Sequence, residues 1–259
     1  MFFKKLSVFI YVSFFSCVSF AQINNTQSEA DKVIDTFLQC DNHFFEQLAK
    51  HQNIISQYVD LATTSDNITY IPVESIQKTD KNKVMFKKTL EYRGLKIIGY
   101  QNIYITTPLS GRFLYWGFIF DNTDDEVKNT LNNINWLPYN TNVYIANAKI
   151  YDRQLKPTVW QDDPYAIDGV ISRYGTINKG IYLELITNNQ SSVFCSIQGD
   201  LDKETLLTTR PDLKPIIEKQ EAERQERIKN YKEKKLKQKR QSQPQATPTE
   251  PTSKDGDNI

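Results

Sequence analysis

The chain has 259 residues, 39% hydrophobic, 12% aromatic and 24% charged, with a formal net charge of +1. This composition excludes a disordered or fibrous chain and suits one domain with a real core. The near-neutral balance hides an asymmetry, because acids exceed bases by about five over 22–213 while 214–240 carries about six excess bases. An acidic body with a basic extension is not the footprint of a nucleic-acid-binding domain, which sets its bases on a folded face between aromatics.

The first residues, MFFKKLSVFIYVSFFSCVSFA, place Lys4 and Lys5 before an apolar run that closes on Ser19, Phe20 and Ala21. That layout predicts a signal peptide over 1–21, cleaved near Ala21, and a periplasmic or secreted product. An uncleaved anchor is the competing reading, but a spanning helix wants roughly 20 apolar residues. This run is shorter and is broken by Ser7, Ser13, Ser16 and Ser19. Lipidation at Cys17 is opposed by Phe14 and Phe15, which stand where smaller aliphatic residues are expected.

Beyond the leader, a single globular domain is predicted over 22–213. Ser28 and Asp31 resemble a capping box ahead of Val33, Ile34, Phe37 and Leu38, which predicts a helix over 29–39. Asp41 can cap a second helix with Phe44, Phe45 and Leu48 on one stripe, and a helical pattern resumes after a break near Asn53. From Ile68 the texture becomes β-branched and aromatic, predicting strands over 68–73, 84–92, 95–106 and 112–121. The turn residues Arg93-Gly94 and Ser110-Gly111 make an antiparallel meander of the last three. The run Phe113 to Phe120 is apolar on both faces, as in a central strand covered on each side.

Thr123 with Glu126 forms a second capping-box pattern, opening a mid-chain helix through Val127, Leu131 and Ile134. Strands are then predicted over 142–151, 166–174, 180–187 and 192–198, and Asp202 caps a short helix stopped by Pro211. The fold class is therefore α+β: N-terminal helices packed on a mainly antiparallel sheet with one mid-chain helix. Over 214–240, charged residues at i,i+4 spacing predict a solvated helix that can touch an anionic envelope surface. The last stretch, 241–259, is rich in Pro, Thr, Ser and Gln and predicts disorder.

Removal of the leader takes Cys17 and leaves Cys40 and Cys195, which predicts one disulfide in an oxidising compartment. Closing so long a loop is worth about 4 to 5 kcal/mol on the chain-entropy model. The competing use is an envelope hydrolase with Cys40 as nucleophile and His43 as base. Cys195 lies in an apolar strand pattern and suits that role less.

Other chemistry is sparse. His43, Glu46 and His51 lie near one helical side, but their spacing matches no zinc signature. Asp124-Asp125 and Asp162-Asp163 are adjacent pairs at expected caps or turns, a poor arrangement for acid/base work on a common substrate. No catalytic residue, metal or cofactor is assigned.

The segment 156–165 places Trp160 and Tyr165 beside Asp162 and Asp163 on a Pro-bounded polar loop. Aromatic anchors on such a loop suit a protein partner, and the acidic body suits a basic one, although Trp160 can equally fold back onto the sheet. The expectation is an exported, non-enzymatic binding protein, an inhibitor or immunity protein acting on an envelope toxin or hydrolase. The hydrolase and an envelope assembly factor are the alternatives.

Overall fold

The structure is a computed structural model that describes residues 18–107, 111–168 and 172–241. Helix α1 (Val18–Phe37) buries Ala30, Val33, Ile34 and Phe37, the i, i+3, i+4, i+7 stripe of an amphipathic helix. Cys40 follows with a φ of 55° in the turn that ends this segment. Helix α2 (His43–Lys50) buries Phe44, Phe45 and Leu48, and α3 (Gln52–Ile55) buries Ile54 and Ile55. Strands β1 (Ala62–Thr63) and β2 (Thr69–Tyr70) form a small separate ribbon.

The main sheet has eight strands. β3 (Lys83–Tyr92), β4 (Leu95–Thr107) and β5 (Gly111–Phe120) form an antiparallel meander. The β3–β4 hairpin closes through Arg93 and Gly94, whose φ values of 50° and 83° give the left-handed pair that a two-residue turn requires. Helix α4 (Asp124–Thr130) leads to β6 (Leu137–Asn140), β7 (Val143–Asp152), β8 (Gln161–Asp162), β9 (Thr176–Thr187) and β10 (Gln190–Gly199). The spatial order is β3-β4-β5-β10-β9-β7-β6, with β8 also paired to β7. A Cβ on Gly117 of β5 would lie 2.2 Å from the Val193 carbonyl oxygen and 2.6 Å from Phe194 Cβ, so glycine is what lets β10 sit this close.

Helix contacts fall on one face of the sheet. Phe118 meets Phe37 at 4.8 Å and Phe44 at 6.0 Å between ring centroids, and Lys128 of α4 lies 3.9 Å from the Tyr144 ring. The disulfide between Cys40 and Cys195 ties the turn after α1 to the same face of β10, with a Cα–Cα distance of 5.3 Å. Helix α5 (Lys203–Thr209), capped by the Asp202 carboxylate accepting from Thr205 N–H, delivers Arg210 into this core. Arg210 is fully buried, bonded to both carboxylate oxygens of Asp212 and to Asn102 Oδ1, with its guanidinium 4.6 Å from the Trp116 ring.

Among the described residues of the part ending at Asp212, the opposite face shows no ring contact with a helix. It is carpeted by its own rings: Phe194 stacks on Tyr182 at 5.4 Å, Tyr115 meets Phe194 edge-on, and Tyr139 meets Tyr182 edge-on. β5 is buried on both faces from Trp116 to Phe120, as its apolar run predicts, and on this face neighbouring aromatic side chains supply part of the cover.

Other boundaries differ from the sequence reading. α1 starts upstream of Ser28, which therefore lies inside a helix rather than capping one. Nothing between Val18 and Ser28 breaks a helix, and Gln27 donates to Asp31 across the turn. Asn42 rather than Asp41 is the N-cap of α2, Asp41 accepting instead from the His43 N–H, and the following break falls at His51. Pro72 leaves only Thr69–Tyr70 of the predicted 68–73 strand, and α4 ends at Thr130, short of Ile134. The predicted 166–174 strand does not form in its described part, because Asp163 accepts from Tyr165 N–H and Asp168 N–H bonds Tyr165 O, curling the chain into turns. β9 instead starts at Thr176, and β6 was not anticipated.

The chain divides into two compact units, one ending at Asp212 and one starting at Leu213. The described part of the second is Leu213 followed by α6 (Lys214–Gln241), whose Ile228 and Tyr231 are exposed. Arg224, Arg227, Lys232 and Lys235 flank that pair. The predicted leader up to Cys17 and the predicted disordered stretch from Ser242 onward lie outside the described residues. Ala21, the expected cleavage point, falls within α1. Among the described residues no helix is long and apolar enough to cross a membrane.

Candidate functional site

The segment between β7 and β9 wraps around the edge of β7. Trp160 lies on the helix-bearing face, 5.5 Å from the Tyr151 ring and with Lys179 Nζ 4.6 Å above its own ring. β8 then pairs along the edge with Lys149 and Ile150, and Lys149 Nζ binds the Asp162 carboxylate. Past the edge, Asp163 N–H bonds the Ala148 carbonyl, and Asp163 to Ala166 come down on the aromatic face.

The four predicted contact residues are thus divided. Trp160 is half-buried against the sheet and Asp162 is engaged at the edge, whereas Asp163 and Tyr165 stand together in a narrow cleft of about 30 Å³. Tyr139, Tyr165 and Tyr182 wall this cleft, and Asn178, Ser196 and Gln198 add polar groups. Tyr165 is 64% exposed, so the cleft opens to solvent past its ring.

Asp163 is fixed from two sides. Its Oδ1 accepts from Tyr165 N–H at 3.0 Å and its Oδ2 from Asn178 Nδ2 at 2.7 Å. Asn178 in turn accepts from Ser172 Oγ at 2.6 Å, which sets the orientation of its amide. Ser196 Oγ is buried with no hydrogen-bond partner among the described residues. Burial raises the Tyr182 hydroxyl well above its ordinary range, and the nearby Tyr139, Tyr115 and Asp163 push it the same way. Burial also raises Tyr115, with Tyr139 adding to the effect. These phenols stay protonated at neutral pH and serve as polar rings rather than bases.

The other candidates are not brought together in this way. Cys40, as half of a disulfide, has no thiolate to offer. His43 is exposed and bound to Asp41, an interaction that raises its pKa. His51 is buried with Nδ1 3.4 Å from Glu29, and Glu46 accepts from Asn42. Among the described residues no group of three His, Cys, Asp or Glu is placed to hold a metal ion. Asp124 and Asp125 both engage Lys128 on the first turn of α4.

Sequence reasoning missed Tyr182, Asn178, Ser196 and Gln198. Their signal was period-two alternation, since 178 and 182 share one face of β9, as 196 and 198 share one face of β10. Register, not sequence proximity, unites them with Asp163.

Fold and cleft define an α+β protein with helices packed on one face of an antiparallel sheet and a tyrosine-walled cleft on the other. Compared with known proteins, the chain matches no family model, no curated protein and no solved structure.

Proposed function

We propose that this is an exported, non-enzymatic binding protein, an inhibitor or immunity protein that neutralises an envelope-acting toxin or hydrolase by covering it. The observation that carries this reading is the set of exposed apolar side chains around the cleft. On or beside the same sheet face Met85, Ile105, Tyr139 and Tyr165 are 59%, 48%, 37% and 64% exposed, and the cleft itself holds convergent polar groups. An aromatic patch with a polar pocket is the chemistry of a protein interface core and its anchor site. The leader pattern and the disulfide both suit an oxidising compartment.

Affinity capture from an envelope extract with the intact protein tests this. One protein retained in stoichiometric amount, and lost with Met85→Ser or Tyr165→Ala, is the expected outcome. Retention of lipid alone, or equal retention by both variants, would overturn it. Export itself has a simple readout, because Cys17 is the sole cysteine outside the disulfide pair. Thiol titration of the unfolded, unreduced protein should find none after leader removal and one per chain if the leader is retained.

A second reading, an envelope assembly factor, draws on α6. Its exposed Ile228 and Tyr231 amid Arg224, Arg227, Lys232 and Lys235 form a stripe suited to an anionic lipid surface. Sedimentation with phosphatidylglycerol vesicles that is abolished by truncation at Lys214 and by high salt would favour it.

A further inference from the structure

We infer that the cleft walled by Tyr139, Tyr165 and Tyr182 receives a single cationic side chain, a lysine ammonium or arginine guanidinium, from the partner. The assignment rests on reading the protein as partner-binding and specifies the chemistry of the residue it grips.

The case is one of charge and of hydrogen-bond capacity. Ring faces carry the negative lobe of the aromatic quadrupole, and three tyrosines here border one small space. Tyr182 is backed by Phe194 at an interplanar angle of 5°, and Tyr139 stands edge-on to it at 84°, so the walls are braced before any ligand arrives. Asp163 is half-buried at the mouth, and each of its oxygens has accepted one hydrogen bond and retains capacity for another. Ser196 Oγ, buried and unpartnered, adds an acceptor on the floor.

The one side-chain amide held rigidly in the cleft is already turned toward the carboxylate. Asn178 gives an amide hydrogen to Asp163 and its carbonyl to Ser172. The nearby cations are also committed elsewhere: Lys179 Nζ lies over Trp160 on the other face, and Lys149 binds Asp162. A buried hydroxyl without a partner beside a carboxylate and three ring walls fits a donor-only, positively charged group.

The test uses the intact, disulfide-bonded protein and two small probes, acetyl-arginine methylamide and its uncharged citrulline counterpart, followed by NMR. Saturable shifts at the Tyr139, Tyr165 and Tyr182 rings and at the Ser196 amide are expected with arginine, and binding about tenfold weaker with citrulline. Asp163→Asn should weaken arginine binding by about tenfold as well. Tyr165→Ala, at an exposed position that leaves the Asp163 bonds intact, should weaken it about fivefold, and Tyr174→Ala, which lies outside the cleft, should not. Equal binding of citrulline, absence of shifts, indifference to both cleft variants, or tighter binding of N-acetylglucosamine oligomers would each overturn the assignment.

The two readings fail separately. A partner captured equally by wild type and Asp163→Asn would remove the cation site and leave the binding function. Arginine bound in the cleft with no protein captured would do the reverse.

Discussion

Arg210 is the residue on which the core turns. Its guanidinium is fully buried between Trp116 and Phe45, and Asp212 answers its charge with both oxygens while Asn102 takes a further hydrogen. Such a pair is a poor source of net stability but a severe loss when broken, because the remaining charge stays buried and unanswered. Asp212→Ala should therefore lower unfolding free energy by about 3 to 5 kcal/mol, read from the urea midpoint. Replacing Arg210 and Asp212 together with apolar residues should recover much of that loss, and a double variant no better than the single one would contradict the argument. None of this was visible in the sequence, where an arginine before a proline at a helix end reads as a solvated C-terminal cation.

At the scale of elements, legibility followed how local the determining interaction was. The Thr123 and Glu126 capping box exists as read, each side chain serving the other's backbone N–H. The Thr123 N–H that Glu126 accepts holds its carboxyl below the usual range. Thr123→Ala should cost about 1 kcal/mol, measured by thermal melting, and the separate contribution of Glu126 should be lost as pH falls from the ordinary glutamate range to below it, because the carboxylate is the form that accepts the Thr123 N–H. The β3–β4–β5 meander was equally legible from alternation and the Arg93-Gly94 turn. What failed was competition between local patterns and distant ones. Residues 166–168 alternate like a strand, yet Asp163 captures the Tyr165 N–H and turns the chain first. β6 carries no local strand signal because all four of its residues are exposed, and only pairing with β7 makes it a strand. The cleft was half legible: Asp163 and Tyr165 stood out on their loop, but Tyr182 and Ser196 join them only through the β7–β9–β10 register.

For the whole molecule, the tyrosines dictate behaviour at high pH. Burial raises the phenols of Tyr92, Tyr100, Tyr115 and Tyr182 above the value near 10 that they take in an unfolded chain. Folding thus favours their protonated forms, so the stability they contribute is complete below pH 10 and is lost as pH rises from there toward their folded values. The denaturant midpoint should hold up to about pH 10 and fall progressively above it. Tyrosinate absorbance from these four should appear together with unfolding, and ionisation near pH 10 with the fold intact would refute the assignment.

The segment that carries Trp160 to Tyr165 around the side of the sheet has one more effect. β7 offers no uninterrupted ladder of free backbone groups, since β6 occupies one stretch of it and β8 another. β6 is itself four residues long and contains Pro138, and at the far side β3 is bulged between Met85 and Leu90 and bears Lys83, Lys87 and Lys88. Strand addition is blocked at both margins, the arrangement by which sheet proteins resist self-templated aggregation. A sheet face that leaves Met85, Ile105 and Tyr139 partly exposed gains from that protection, because free strand margins beside it would invite a second chain to extend the sheet.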